Sequence, residues 1–161
     1  MSSSSFRIAV DLPWDASACM GTGAYSETMV RALAAAAPEA EIVLVVPPQA
    51  KQSIELPNVR YSVLPEVKVR REGMRQVALP DYLAKTGVEV LFAPATLLPL
   101  IKVCPMVATV HDLAFELHPE FYGQGLREYL SEWFEPSIRA ADRLVAISSD
   151  TKADMIRLKK I

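Results

Sequence analysis

The residues best suited to chemistry lie in the stretch 107–122, VATVHDLAFELHPEFY. It opens with four apolar or β-branched residues, which predict a buried strand, and breaks at His111-Asp112. Ligands of open α/β sheets bind at the carboxyl ends of the strands, so an imidazole at that position is a candidate for catalysis. The alternative is a histidine satisfied by its own neighbours. Both histidines of the chain, His111 and His118, lie in this stretch.

The acidic and aromatic residues around His111 leave several roles open. Asp112 is placed either to orient the His111 ring or to cap the segment that follows it. Phe115, Phe121 and Tyr122 are candidates for a ligand wall, although aromatic residues in such loops more often anchor the loop against the core. His118 is a candidate for the same wall, with support of the loop as the alternative.

A second candidate site is the glycine-containing stretch 20–26, MGTGAYS, at the predicted start of a helix. Backbone N–H groups and the helix dipole make such a start suited to phosphate, with a plain turn feeding a helix as the alternative. A dinucleotide-binding fingerprint is not indicated. The glycines begin ten residues after Asp11, Ser26 occupies the third glycine position, and Val46-Pro47 stands where a ribose-binding acid is needed.

Other kinds of site have weaker support. Lys68, Arg70, Arg71 and Arg75 form a basic cluster, for which we expect a solvated face, with anionic lipid or a phosphorylated acceptor as the alternative. The histidine and cysteine spacing predicts no metal site, and no G-x-S-x-G hydrolase motif is present.

Alternating apolar and amphipathic segments predict the elements that position these residues. The predicted strands are 6–11, 41–46, 58–64, 88–92, 106–110 and 143–147. The predicted helices are 23–37, 76–86, 125–141 with a kink or break at Pro136, and a last helix capped by Ser148. Most of the strands are apolar throughout. This pattern is typical of a Rossmann-like three-layer α/β/α domain with a mostly parallel sheet of about six strands.

Composition limits the class of protein and its setting. A chain of 161 residues with 51% hydrophobic and 22% charged residues predicts one folded domain over residues 6–161, after a flexible leader at 1–5. A net charge of -2 gives no reason to expect a nucleic-acid partner. Only two cysteines and no signal peptide favour a cytoplasmic location. Peripheral contact with the inner face of the membrane is compatible with the sequence.

Several motifs together resemble one family. They are the strand at 8–11, the delayed glycine loop at 21–25, the run Thr109-Val110-His111-Asp112-Leu113 with Phe115 and Pro119, and the run AADRLVAIS at 140–148. In this order they resemble the N-terminal domain of a family 4 glycosyltransferase of the GT-B architecture. The resemblance covers the chain from Phe6 onward.

The resemblance implies a retaining hexosyltransferase that uses a nucleotide-sugar and requires no metal or other cofactor. It implies an active site between this domain and a C-terminal donor domain. The loop style is similar to that of polysaccharide mannosyltransferases, which gives GDP-mannose a slight preference as the donor. The implied roles are catalysis for His111 and Asp112, donor-phosphate binding for Gly21, Thr22 and Gly23, and substrate binding for Tyr25, Phe115, His118 and Tyr122.

One feature of the family is missing from these residues. Its Glu-x7-Glu signature belongs to the C-terminal domain, and the pair Glu120 and Glu128 has that spacing only by accident, in a loop and the following helix. We therefore expect the acceptor-side half of an enzyme that glycosylates a glycan or lipid-linked acceptor, inactive by itself.

The alternative is a stand-alone, non-catalytic α/β ligand-binding module. The open reading frame discriminates between the two. A further domain of about 150–200 residues with a Glu-x7-Glu segment favours the transferase, and a stop codon after Ile161 favours the module.

Overall fold

The computed structural model describes residues 5–12, 21–50, 52–65 and 74–161. Its six strands form one sheet in the order β3-β2-β1-β4-β5-β6, and every neighbouring pair is parallel. The strands are β1 Arg7–Asp11, β2 Glu41–Val46, β3 Val59–Val63, β4 Val90–Ala93, β5 Met106–Val110 and β6 Arg143–Ala146. The helices are α1 Thr22–Ala36, α2 Leu79–Thr86, α3 Ala114–Leu117, α4 Gln124–Ala140 and α5 Ser149–Asp154. Short turns of other helical types cover Met74–Ala78, Pro119–Phe121 and Met155–Lys159.

The alternation of side chains along the strands separates two cores on opposite faces of the sheet. Ala9 of β1 belongs to the core that includes Leu79 and Leu83 of α2. Its neighbour Val10 belongs to the core that includes Val30 of α1. Helices therefore cover both faces, and the predicted three-layer Rossmann-like α/β fold is confirmed. Both faces exclude water, which explains why β2 reads as an unbroken apolar run.

A third core holds the segment that follows β5. It consists of the buried residues Val110, Leu113, Phe115, Phe134, Ile138 and Met155. The rings of Phe115 and Phe134 meet edge to face, with their centroids 5.1 Å apart. This core packs α3 against α4 and against the turn Met155–Lys159, and so anchors the chain directly after His111.

Of the kink or break predicted at Pro136, the break does not occur, since α4 runs continuously from Gln124 to Ala140. A proline inside a helix removes one backbone hydrogen bond, that to the carbonyl four residues earlier, here of Glu132. Both Pro136 and Glu132 lie on the exposed side of α4, where water can satisfy that carbonyl. The Ser148 cap is confirmed, because its hydroxyl accepts a hydrogen bond from the Thr151 N–H at 3.0 Å.

The expectation of a solvated basic face is wrong for Arg75. Its guanidinium Nε donates to Oδ2 of Asp11 at 2.8 Å, and the two residues are only 8% and 6% exposed. Asp11 ends β1, so the ion pair lies at the carboxyl edge of the sheet.

Lys68, Arg70 and Arg71 lie outside the described residues, as do Cys19 and residues 1–4 of the predicted leader. Within the described ranges, no helix has the length and apolar character needed to cross a bilayer.

Replacing Arg75 with alanine should lower the free energy of unfolding by about 3 kcal/mol, because the Asp11 carboxylate loses a partner while it stays buried. Urea denaturation measures the change. Arg31→Ala is the matched control, since Arg31 pairs with Glu27 at 2.7 Å on an exposed face of α1. An exposed pair of that kind contributes about 0.3–0.5 kcal/mol. Equal losses in the two variants would show that burial of the Asp11–Arg75 pair has no energetic consequence.

Candidate functional site

The candidate residues lie at the carboxyl edge of the sheet, around the point where the strand order reverses. From β1 the chain passes through α1 to β2 on one side, whereas β4 is followed by β5 on the other side. Ligands of open α/β sheets bind in the crevice at such a reversal. Among the described residues, the segments at this edge include the start of α1, residues 94–96 after β4, His111-Asp112 after β5, and Ser148 after β6.

His111 is held through both its ring and its backbone. Its Nε2 lies 2.7 Å from the backbone oxygen of Pro94, which follows β4. A carbonyl oxygen only accepts hydrogen bonds, so Nε2 carries the proton. In the neutral form of the ring, the lone pair then lies on Nδ1. The backbone oxygen of His111 accepts a hydrogen bond from the Thr151 hydroxyl of α5 at 2.9 Å.

Tyr25 joins the glycine loop to the histidine. Its ring meets the ring of His111 edge to face, with centroids 4.9 Å apart and planes at 84°. Its hydroxyl lies 3.1 Å from the hydroxyl oxygen of Thr109, a fully buried residue of β5. Because Tyr25 belongs to the first turn of α1, this contact places the start of that helix beside the end of β5.

The glycine loop has the geometry of an anion-binding helix start. Gly21 precedes α1 with a φ of 95°, a conformation that side-chain-bearing residues rarely adopt. Its carbonyl accepts the first backbone bond of the helix, from Tyr25 N–H at 2.9 Å. Gly23 is buried, and the first turn contains no acidic residue. The N–H groups of that turn and the positive end of the helix dipole can therefore receive a phosphate.

The sequence leaves two roles open for Asp112, and in the structure its side chain caps the segment that follows. Its Oδ1 accepts a hydrogen bond from the N–H of Ala114, the first residue of α3, at 2.8 Å. The ring of His111 is oriented instead by Pro94. The hydroxyl of Tyr122 lies 3.5 Å from the same Oδ1. Burial raises the pKa of Tyr122, and the charge of Asp112 and the hydrogen bond to it raise that pKa further.

The other two residues predicted for the substrate wall, Phe115 and His118, differ in their exposure to solvent. Phe115 is 3% exposed and packs in the third core, so it anchors the segment after His111 and presents almost no surface to the open edge. His118 has a side chain that is 59% exposed, with Nδ1 3.5 Å from Oε1 of Glu120. Its ring lies beside Phe121, with centroids 5.8 Å apart. A substrate contact by His118 stays a prediction.

The sequence analysis missed three threonines and a proline at this edge. Thr109 supports Tyr25, Thr151 binds the backbone of His111, and the Thr96 hydroxyl donates to the backbone oxygen of Thr109 at 2.6 Å. Pro94 supplies the carbonyl that binds the His111 ring. Thr109 had a signal in the sequence, because it belongs to the run Thr109-Val110-His111-Asp112-Leu113 that resembles the family.

No group of three or more metal-ligating side chains occurs in the ranges that the structure describes. Cys104, the cysteine inside those ranges, is buried two residues before β5. Burial raises the pKa of its thiol, so Cys104 behaves as a small core residue rather than as a nucleophile.

Comparison with known proteins adds an independent observation. The model of the family described as Glycosyltransferase Family 4 matches residues 21–161. The match begins at Gly21, and it includes α1, the end of β5 and the start of α5. No protein with a curated description matches the chain significantly.

Gly21→Ala should destabilise the protein by about 1–2 kcal/mol, because an L side chain is strained at this φ although nothing lies within 4 Å of the added Cβ. Thermal or urea unfolding measures the loss. Gly125→Ala is the control, because its added Cβ also enters open space but Gly125 lies in the first turn of α4 and has no positive φ. This substitution should stabilise the protein by about 0.5 kcal/mol. A neutral or stabilising Gly21→Ala would contradict the left-handed geometry at the start of α1.

Asp112→Asn should lower the pKa of Tyr122 part of the way toward its ordinary value, leaving the larger effect of burial. Tyrosinate absorbance during an alkaline titration measures this, and Tyr122→Phe identifies the relevant step among five tyrosines. A raised pKa means that Tyr122 favours the folded state below the ordinary tyrosine pKa. This contribution to the free energy of unfolding is lost as the pH rises through the raised pKa of Tyr122. The lost free energy should be smaller in Asp112→Asn. An unchanged titration would leave burial as the whole cause.

Proposed function

Because the chain belongs to glycosyltransferase family 4, we propose that it is the acceptor-side half of a retaining hexosyltransferase. The family provides the general activity, which is sugar transfer from a donor to an acceptor. The proposed donor is a nucleotide-sugar, with GDP-mannose preferred, and the proposed acceptor is a glycan or a lipid-linked sugar, as in polysaccharide biosynthesis. The observation that carries the proposal is the contact between Tyr25 and His111, which joins the glycine-led start of α1 to the end of β5.

The start of α1 is the proposed site for the donor diphosphate. The N–H groups of Thr22 and Gly23 and the helix dipole stabilise negative charge there, and that charge grows on the leaving phosphate as the sugar departs. The left-handed Gly21 allows the backbone to approach the phosphate without a side chain in the way.

His111 is the proposed contact to the donor sugar. With Nε2–H bound to Pro94, the neutral ring offers Nδ1 as an acceptor for a sugar hydroxyl. A lone pair on Nδ1 is also compatible with the positive charge that develops on the sugar. Asp112 and Tyr122 support the loop beside the ring.

The proposed reaction takes place on one face of the sugar. The bond between the anomeric carbon and the phosphate oxygen breaks, and the acceptor oxygen bonds to that carbon from the same side. The acceptor proton passes to the leaving phosphate oxygen, so the reaction needs neither a protein base nor a metal ion. The donor is held mainly by a second domain of the same polypeptide, which we propose closes over this edge. We place the enzyme in the cytoplasm, in peripheral contact with the inner membrane face.

His111→Ala should reduce sugar transfer by about 100- to 1000-fold, because a preorganised polar contact in the transition state is lost. Arg31→Ala, the control, should stay near wild type, since Arg31 pairs with Glu27 on an exposed face of α1 outside the candidate site. The assay uses the complete polypeptide and follows GDP or UDP release from GDP-mannose and UDP-glucose in the presence of a membrane lipid extract.

Two outcomes would contradict the proposal. Near-normal transfer by His111→Ala, with the wild-type fold retained by circular dichroism, would remove His111 from the site. Absence of transfer by the wild type with either donor, together with tight binding of another small ligand by this chain alone, would favour the stand-alone binding module.

A further inference from the structure

The turn after β4 contains a strained residue next to the site. The N–H of Leu97 donates to the carbonyl of Ala95 at 2.9 Å, which closes a three-residue γ-turn around Thr96. Thr96 has a φ of 75° and is 8% exposed. A γ-turn with positive φ is the rare, strained form, and a β-branched residue is among the least suited to it.

Contacts on both sides keep Thr96 in this conformation. Its hydroxyl donates to the backbone oxygen of Thr109 at 2.6 Å. On the far side, the N–H of Leu98 donates to the hydroxyl of Ser137 in α4 at 3.1 Å, and Gln76 Nε2 donates to the Leu98 carbonyl at 3.1 Å. Strained backbone persists where its surroundings over-determine it, and such strain concentrates at functional sites.

The Pro94 carbonyl lies directly before this turn. Pro94 is two residues before Thr96, and its oxygen is the acceptor for His111 Nε2 at 2.7 Å. Thr96 and Pro94 therefore contact β5 at two points of the same stretch, the backbone of Thr109 and the ring of His111. The Pro94 carbonyl therefore lies between two contacts with β5, the pairing of Ala93 with Ala108 and the Thr96–Thr109 hydrogen bond.

We propose that Thr96 is a positioning residue for His111. The strained turn, tied to β5 by the Thr96 hydroxyl, aims the Pro94 carbonyl at Nε2 and fixes the ring as the Nε2–H tautomer. The assignment of Nδ1 to a sugar hydroxyl rests on the proposed function, whereas the control of the tautomer by Thr96 does not. A ring without this carbonyl exchanges between its two neutral tautomers, and only one of them offers Nδ1 as an acceptor.

The tautomer can be measured directly in this chain. Nitrogen-15 histidine labelling and long-range proton–nitrogen correlation distinguish the two ring nitrogens, at a pH where both rings are neutral. The chain has only two histidines, so His118→Gln assigns the signals. In the wild type, His111 should show a protonated Nε2 and an unprotonated Nδ1, without averaging.

Three substitutions of Thr96 separate positioning from packing. Thr96→Ser keeps the hydroxyl and should keep the wild-type pattern. Thr96→Val keeps the shape but loses the hydroxyl, and should shift His111 toward a tautomer mixture. Thr96→Gly removes the strain as well as the hydroxyl, so it should fold at least as well as the valine variant and show the same mixture. An unchanged His111 pattern in the folded glycine variant would overturn the proposal.

The rate of sugar transfer tests the consequence. In the complete polypeptide, Thr96→Val should lower kcat for nucleotide release by about a hundredfold, the effect expected when a reacting geometry is displaced, and Thr96→Ser should restore it. A tautomer shift in Thr96→Val, with no transfer even by the wild type, would support positioning and contradict the proposed function. If the wild type transfers sugar and Thr96→Val changes neither the rate nor the His111 tautomer, the proposed function is supported and positioning by Thr96 is contradicted.

Discussion

The parallel direction of all six strands is the constraint on which the site depends. Parallel strands bring every carboxyl end to one edge, so segments far apart in the chain must meet there. The start of α1 and the end of β5 are 84 residues apart where Tyr25 approaches Thr109. The pairing of β1 with β4 and of β4 with β5 holds these strands in register and makes this meeting possible.

The end of β5 concentrates the polar contacts of that edge. Tyr25 comes from α1, Pro94 and Thr96 from the turn after β4, and Thr151 from α5. Each contributes one hydrogen bond to the stretch from Thr109 to His111. Several elements thus restrain a single imidazole, and such restraint preorganises a polar group before a ligand arrives.

Strands that are apolar on both faces were the most predictable elements. The predicted bounds of β2 and β5 match the structure, because unbroken apolar runs bordered by prolines or charges have clear ends. Arg75 shows the limit of such reasoning. A cluster of charges predicts a solvated face, but Asp11, which neutralises Arg75, lies 64 residues earlier. Local charge patterns cannot reveal a partner at that distance.

The sequence by itself determined the fold class, the family resemblance, and the positions of Gly21 and His111 at element ends, because these follow from local periodicity and from the order of short motifs. Tertiary structure alone decided what each group touches. In the structure, the His111 ring is hydrogen-bonded to the backbone oxygen of Pro94, 17 residues away, and not to the adjacent Asp112. It also placed Thr96 in a left-handed turn. Local preference disfavours that conformation, and only contacts with other elements can hold it.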